Sequence, residues 1–94
     1  MNGELNAGDL VLSKSGRDKG AILLVIEVKN DRATVVDGKT RKIGKEKKKN
    51  LKHLEIFIPL ADTDLAERIK KGIPTKNESI RKRIGELSKK IREE

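Results

Sequence analysis

The sequence predicts a mainly β fold with added α: a small β-barrel over residues 1–58, followed by two short helices within residues 59–94. Three observations carry this prediction. The length of 94 residues suits a single domain. Residues 10–58 hold 19 of the apolar side chains, in short β-branched runs separated by turn residues. After Pro59 the apolar spacing changes to the period of a helix.

The barrel half contains five candidate strands. They are predicted at Leu10–Leu12, Ala21–Val28, Ala33–Val36, Lys39–Ile43 and Leu54–Ile58. Asn30-Asp31 and Asp37-Gly38 supply turn residues, and Asp-Gly favours a two-residue hairpin because both central positions need positive φ. Five short strands cannot cover both faces of an open sheet. Closure into a small barrel therefore follows as the economical arrangement, since it also removes exposed edges.

The second half contains two candidate helices. Asp62-Thr-Asp64 offers capping oxygens ahead of a helix over about residues 63–71, and Gly72 fits the position just beyond its end. Thr75-Lys-Asn-Glu78 has the spacing of a capping box that opens the second helix. We expect the apolar stripe of the second helix to pack either on the barrel or on a partner. A more specific alternative is that the stripe forms a short coiled-coil seam with another helix. The stripe consists of Ile80, Ile84, Leu87 and Ile91.

Composition excludes most enzyme classes. The chain has no Cys, which removes disulfides and thiolate metal sites, and His53 is its single histidine. No serine lies within a Gly-x-Ser-x-Gly motif, and no two carboxylates fall at a helical i, i+3 or i+4 spacing within an apolar pocket. We therefore expect no catalytic residue, metal, cofactor or small-molecule substrate. The longest apolar run, Ala21–Ile26, is far too short for a membrane span, and the start lacks a signal peptide, so we expect a soluble cytoplasmic protein.

A basic segment over residues 39–52 is the clearest functional signal. The net charge of the whole chain is +8, and this segment alone carries +7 because only Glu46 opposes its cations. Such an array displaces counterions from a polyanion and predicts about six phosphate contacts. The alternative is a solvated loop that aids solubility or blocks edge pairing. The cations, of which the three consecutive lysines are expected to lie in solvent, are Lys39, Arg41, Lys42, Lys45, Lys47, Lys48, Lys49 and Lys52.

The loop Ser13–Gly20 is the second signal. It places Lys14, Arg17 and Lys19 between two predicted strands, where Arg can contact a phosphate in bidentate fashion. It is not a nucleotide P-loop, because a strand and not a helix follows it. The alternative is an ordinary connecting loop.

His53 borders the basic segment, and a lone histidine is more often a surface hydrogen-bonding group than a catalyst. Since Phe57 is the only aromatic residue, recognition by base stacking is nearly excluded.

Residues 8–26 resemble a KOW motif: a strand, a basic loop closed by glycine, then an apolar strand. With Asp37-Gly-Lys-Thr-Arg-Lys42 and Lys48-Lys-Asn-Leu-Lys-His-Leu-Glu55, the chain resembles the KOW-domain ribosomal protein family that includes large-subunit ribosomal protein fourteen of archaea and eukaryotes. The helical tail, with Lys71-Gly-Ile-Pro-Thr-Lys-Asn-Glu78, more closely resembles the bacterial members of this family, which are described as KOW-domain RNA-binding proteins. The resemblance implies an SH3-like barrel whose basic loop and basic stretch, with the adjacent His53, face RNA.

The charge pattern predicts a polyanion-binding protein, and the resemblance implies an RNA-binding protein of the translation apparatus, ribosome-associated in the cytoplasm, with large-subunit ribosomal RNA as its partner. Neighbouring ribosomal proteins are the expected partners of the helical stripe if it does not pack on the barrel. The chain lacks the long basic C-terminal extension of eukaryotic members, so permanent and transient ribosome association both stay open. The alternative function is a KOW-type protein-interaction module that docks on another nucleic-acid-processing complex, such as RNA polymerase.

Overall fold

The computed structural model describes residues 4–92, and the side chains of residues 4–89. This part of the chain forms a five-stranded antiparallel sheet and two helices, the mixture of β and α that the sequence predicts. A single 3₁₀ turn at Leu51–His53 joins the last two strands. The elements are β1 (Leu10–Ser13), β2 (Ile22–Lys29), β3 (Arg32–Val36), β4 (Lys47–Asn50), β5 (Leu54–Ile58), α1 (Thr63–Lys70) and α2 (Asn77–Arg92).

The sheet has the strand order β4-β3-β2-β1-β5. Consecutive strands β1 to β4 pair as a meander, and β5 returns to the free side of β1. Lys29 and Arg32 face each other across a two-residue turn, so the predicted Asn30-Asp31 hairpin is confirmed. Within the described residues β4 and β5 are edge strands, and no pairing closes the sheet into the expected barrel.

The predicted fourth strand is wrong. Lys39–Ile43 lies in a loop, and β4 forms from the lysine run instead. The reason is local: the Asp37 carboxylate accepts hydrogen bonds from the backbone amides of Lys39 (2.9 Å) and Arg41 (2.7 Å), which bends the chain away from β3. The predicted Asp37-Gly38 hairpin is therefore also wrong, because a loop over residues 37–46 separates β3 from β4.

Apolar side chains lie on both faces of the sheet, because β2 sends successive residues to opposite sides. Ala66, Ile69 and Ile80 of the helices cover one face. The cluster on the other face contains no residue of α1 or α2. Its buried members are Leu5, Val11, Leu23, Val25, Ala33, Val35 and Leu54.

The helix α1 has the predicted caps: the Asp62 carboxylate accepts from the Leu65 amide at 2.9 Å, and Gly72 has a φ of 77° just past the end. The predicted capping box of α2 is wrong. The Thr75 hydroxyl donates to the Ile73 carbonyl oxygen at 3.0 Å instead, and the helix begins at Asn77.

The apolar stripe of α2 faces the sheet over its described length. Ile80 is fully buried, and Ile84 and Leu87 are half-buried against the same cluster. The side chain of Ile91 lies outside the described residues. Because the helices and the sheet share this cluster, the division of the chain at residue 58 stays a prediction.

Candidate nucleic-acid interface

The two basic segments meet at an open groove of about 630 Å³ between the loop that follows β1 and the loop that precedes β4. Four of its lining residues are cationic, and they come from opposite ends of the β1–β4 meander. The groove therefore unites the two signals that the sequence presents separately. Its lining residues are Arg17, Asp18, Lys19, Ala21, Thr40, Arg41 and Lys47.

A buried ion pair lies beside this groove. Asp18 is 9% exposed and Lys49 is 8% exposed, and the Lys49 Nζ lies 2.7 Å from the Asp18 Oδ1. The same carboxylate oxygen accepts from the Ser13 hydroxyl at 2.8 Å, and the Lys49 ammonium also donates to the Ser15 carbonyl oxygen at 3.1 Å. These contacts fasten the loop after β1 to the edge strand β4. The expectation that the Lys49 side chain lies in solvent is wrong.

Arg41 approaches the same carboxylate from the other loop. Its Nε lies 3.6 Å from the Asp18 Oδ2, an ion pair without a hydrogen bond, and its side chain is about a quarter exposed. Burial alone would raise the pKa of Asp18. The hydrogen bonds from Lys49 and Ser13, with the charges of Lys49 and Arg41, outweigh burial and hold the pKa of Asp18 below its usual value. The carboxylate is therefore ionised at neutral pH.

The groove has a strongly positive surface because its single carboxylate is already neutralised. Lys49, which does not line the groove, balances the charge of Asp18, so Arg17, Lys19, Arg41 and Lys47 supply the net charge of the lining. Arg17, Lys19 and Lys47 are exposed. An anion entering the groove would therefore meet mobile cations on both walls and one arginine, Arg41, whose position the buried pair restricts.

The lysine run of β4 divides between the two faces of the sheet. Lys47 and Lys49 lie opposite Val35 and Ala33, whose side chains belong to the face without helices, whereas Lys48 lies opposite Thr34. Lys48 lines a different hollow, together with Glu27, Lys29, Asn30, Asp31, Arg32 and Thr34. That hollow contains acids as well as bases, so it is a poorer site for a polyanion than the groove.

The other predicted binding residues do not line the groove. Lys14, Lys39, Lys42, Lys45 and Lys52 are exposed at other surface positions. His53 is half-buried in the 3₁₀ turn, and its carbonyl oxygen accepts from the Lys14 amide at 2.8 Å, a contact that supports the fold.

Sequence reasoning missed Asp18, Ser13 and Thr40. Only Asp18 carries a signal in the sequence: it is the one acid in a basic loop, and a lone acid there is a candidate partner for a buried cation.

Other kinds of site find no support in the part of the chain that the structure describes. Its acidic and histidine side chains form no group of three or more that could hold a metal ion. No helix among residues 4–92 is both long enough and apolar enough to cross a membrane. Comparison of the chain with models of known protein families finds no match, and a search of curated proteins finds no significant match.

Proposed function

We propose that this chain binds structured RNA through the groove between its two basic loops. The observation that carries the proposal is the convergence of Arg17 and Lys19 with Arg41 and Lys47 on one surface. These pairs lie more than 20 residues apart in the sequence. If the charges served only solubility, we would expect them to be dispersed over the surface. They would not be concentrated in one cationic groove formed by two distant segments.

The proposed mechanism is neutralisation of the phosphate backbone. The two arginines present planar, bidentate donors that match phosphate oxygens, while the two lysines act as point charges. The groove has no aromatic lining residue, so bases have no stacking platform there. Contacts of this kind fix the position of an RNA helix by its shape and carry little sequence information.

The fold supports a finer proposal, an SH3-like sheet of the KOW type. The apolar cluster that neither α1 nor α2 covers supports this proposal, because a sheet curled over its own inner face would enclose such a cluster. The resemblance of residues 8–26 to a KOW motif points the same way, and it also suggests large-subunit ribosomal RNA as the RNA and ribosome association as the setting.

The alternative, a protein-docking module, needs an exposed apolar patch. The most exposed large apolar side chains of the described residues are Leu60 and Ile73. Leu60 lies in the segment between β5 and α1, whereas Ile73 lies in the segment between α1 and α2.

The test compares two neighbouring lysines. Lys47→Ala and Lys48→Ala remove the same charge from adjacent positions of β4, but only Lys47 lines the groove. We expect Lys47→Ala to weaken binding to a fluorescein-labelled RNA hairpin by roughly 3- to 10-fold more than Lys48→Ala. The DNA hairpin of the same sequence and an unstructured poly(U) strand are the comparison ligands. Equal affinities of the two variants would place the binding face elsewhere.

The ribosomal setting needs a separate measurement. Sedimentation of a cell lysate through sucrose gradients at low and high salt would distinguish the possibilities. Retention on the large subunit at high salt indicates a constituent, and release indicates an associated factor. Absence from ribosomes at both salt concentrations would refute the ribosomal part of the proposal while leaving RNA binding itself to the titrations.

A further inference from the structure

We propose that α2 positions the groove: Asn77 and Arg81 hold the loop over residues 37–46 so that Arg41 is presented to RNA. This inference rests on the proposed function, since it concerns the same groove. It assigns a role in binding to two residues that do not line the groove and that lie more than 30 residues away from Arg41 in the sequence.

Two hydrogen bonds join the helix to the loop. The Ile43 amide donates to the Asn77 Oδ1 at 2.7 Å, and the Arg81 Nη1 donates to the Gly38 carbonyl oxygen at 2.6 Å. The backbone packing at this point is also close: a Cβ on Gly38 would overlap the Asn77 carbonyl oxygen. The first turns of α2 therefore contact the loop on both sides of Arg41.

The contacts continue from Gly38 to Arg41. The backbone amides of Asp37 (2.9 Å) and Gly38 (3.1 Å) both donate to the Arg41 carbonyl oxygen, while the Arg41 amide donates to the Asp37 carboxylate at 2.7 Å. A displacement of Gly38 would thus displace the backbone of Arg41. At the far end of its side chain, the guanidinium of Arg41 meets Asp18.

Such anchoring bears on affinity because the loop has little other regular structure. Its residues lie outside the sheet, and the loop contains Gly44 as well as Gly38, both with positive φ. Without its hydrogen bonds to α2, the loop would sample other conformations. Only the fraction of molecules that hold Arg41 in its observed position would then bind RNA with the full affinity. The apparent affinity is the full affinity multiplied by that fraction.

The first experiment uses an uncharged substitution. Asn77→Ala removes the acceptor for the Ile43 amide and changes no charge, so a loss of RNA affinity cannot come from weaker electrostatic attraction. We expect binding of the labelled RNA hairpin to weaken by roughly 3- to 10-fold, the scale that one lost hydrogen bond allows. In an Arg41→Gln background the same substitution should have little further effect, because the group that it positions is gone.

The second experiment uses neighbouring cations as a matched pair. Arg81→Gln and Lys82→Gln remove one charge each from adjacent positions of α2, and Lys82 is exposed with no ion pair or side-chain hydrogen bond among the described residues. Arg81→Gln should weaken binding several-fold more than Lys82→Gln. Hydrogen exchange of the free proteins should show faster exchange at the Gly38 and Arg41 amides in Asn77→Ala and Arg81→Gln, and unchanged exchange in Lys82→Gln.

The outcomes separate this inference from the proposed function. If the unaltered protein binds the RNA hairpin but Asn77→Ala binds it equally well, α2 does not position the groove and the inference fails alone. Additive effects of Asn77→Ala and Arg41→Gln would overturn it in the same way. If the unaltered protein binds no RNA, the proposed function fails, and the role of α2 in binding fails with it. Unchanged exchange at Gly38 and Arg41 would refute the anchoring itself, whatever the affinities.

Discussion

Asp18→Asn is the substitution by which the buried ion pair can be tested most directly. It keeps the shape of the side chain and one acceptor oxygen, but it removes the negative charge that faces Lys49 at 2.7 Å. The Lys49 ammonium then stays buried, at 8% exposure, with only the Ser15 carbonyl oxygen and an amide as partners. Arg41 loses its ionic partner as well.

The magnitude follows from the burial of both partners. Removing one member of a buried pair costs about 3–5 kcal/mol, because the other charge stays desolvated without compensation. The retained amide acceptor and the partial exposure of Arg41 place Asp18→Asn at the lower end, at about 3 kcal/mol. With a urea dependence of about 1 kcal/mol per molar for a domain of this size, the unfolding midpoint should fall by about 3 M.

The pH dependence supplies an independent check. The folded-state pKa of Asp18 is lowered, so the carboxylate contributes stability that is fully present above its unfolded pKa of about 3.9 and is lost as pH falls through the lower folded value. The free-energy difference between the original protein and Asp18→Asn should therefore be constant near neutral pH. It should shrink in acid, below about pH 4, as the original protein becomes protonated at Asp18.

Urea unfolding followed by circular dichroism at several pH values measures both effects. Glu67→Gln is the matched control, because Glu67 forms an ion pair with Lys71 on an exposed helix surface and its loss should be hardly measurable. Asp18→Asn combined with Lys49→Met should recover part of the lost stability, since the buried ammonium without a carboxylate partner is then removed as well. An unchanged midpoint for Asp18→Asn, or a difference that does not vary with pH, would refute the role assigned to the pair.

Ile80→Asp should lower the free energy of unfolding by about 3–5 kcal/mol, because Ile80 is fully buried, and Ile84→Asp should lower it less; chemical denaturation checks the order. Gly38→Ala should lower the melting temperature more than Gly44→Ala: both residues have positive φ, but only the Cβ at Gly38 would meet backbone atoms. Titrations of the RNA hairpin across salt should give a slope of about −3 for the logarithm of affinity, and Lys47→Ala should reduce it by about 0.7–0.9, whereas a flat dependence would contradict phosphate contacts.

The sequence predicts the apolar strands and α1 well because their signals are local. β2 is a nearly continuous apolar run rich in β-branched residues, and Asp62 and Gly72 mark the ends of α1 by their own side-chain and backbone chemistry. β4 carries no such signal. Three lysines in a row show no alternation of apolar and polar residues. The strand forms because its backbone pairs with β3 and because Lys49 forms a buried ion pair with Asp18.

The same limitation applies to the candidate site. Arg17, Lys19, Arg41 and Lys47 all belong to the basic residues that the sequence singles out, but the sequence does not show that these four share a groove. That grouping depends on the pairing of β3 with β4 and on the contact between α2 and the loop over residues 37–46. Both are long-range contacts, and neither has a sequence motif.

The lysine run shows why net charge overstates the number of cations that can face a single ligand. The +7 of residues 39–52 suggests about six contacts if every cation is free to meet the same polyanion. On a strand, however, Lys47 and Lys48 point to opposite faces of the sheet. The charge of Lys49 is neutralised by its buried ion pair with Asp18. The groove retains four cations, two of which come from the other loop. A basic run on a strand therefore contributes at most every second residue to one ligand, and its buried member stabilises the fold that presents the others.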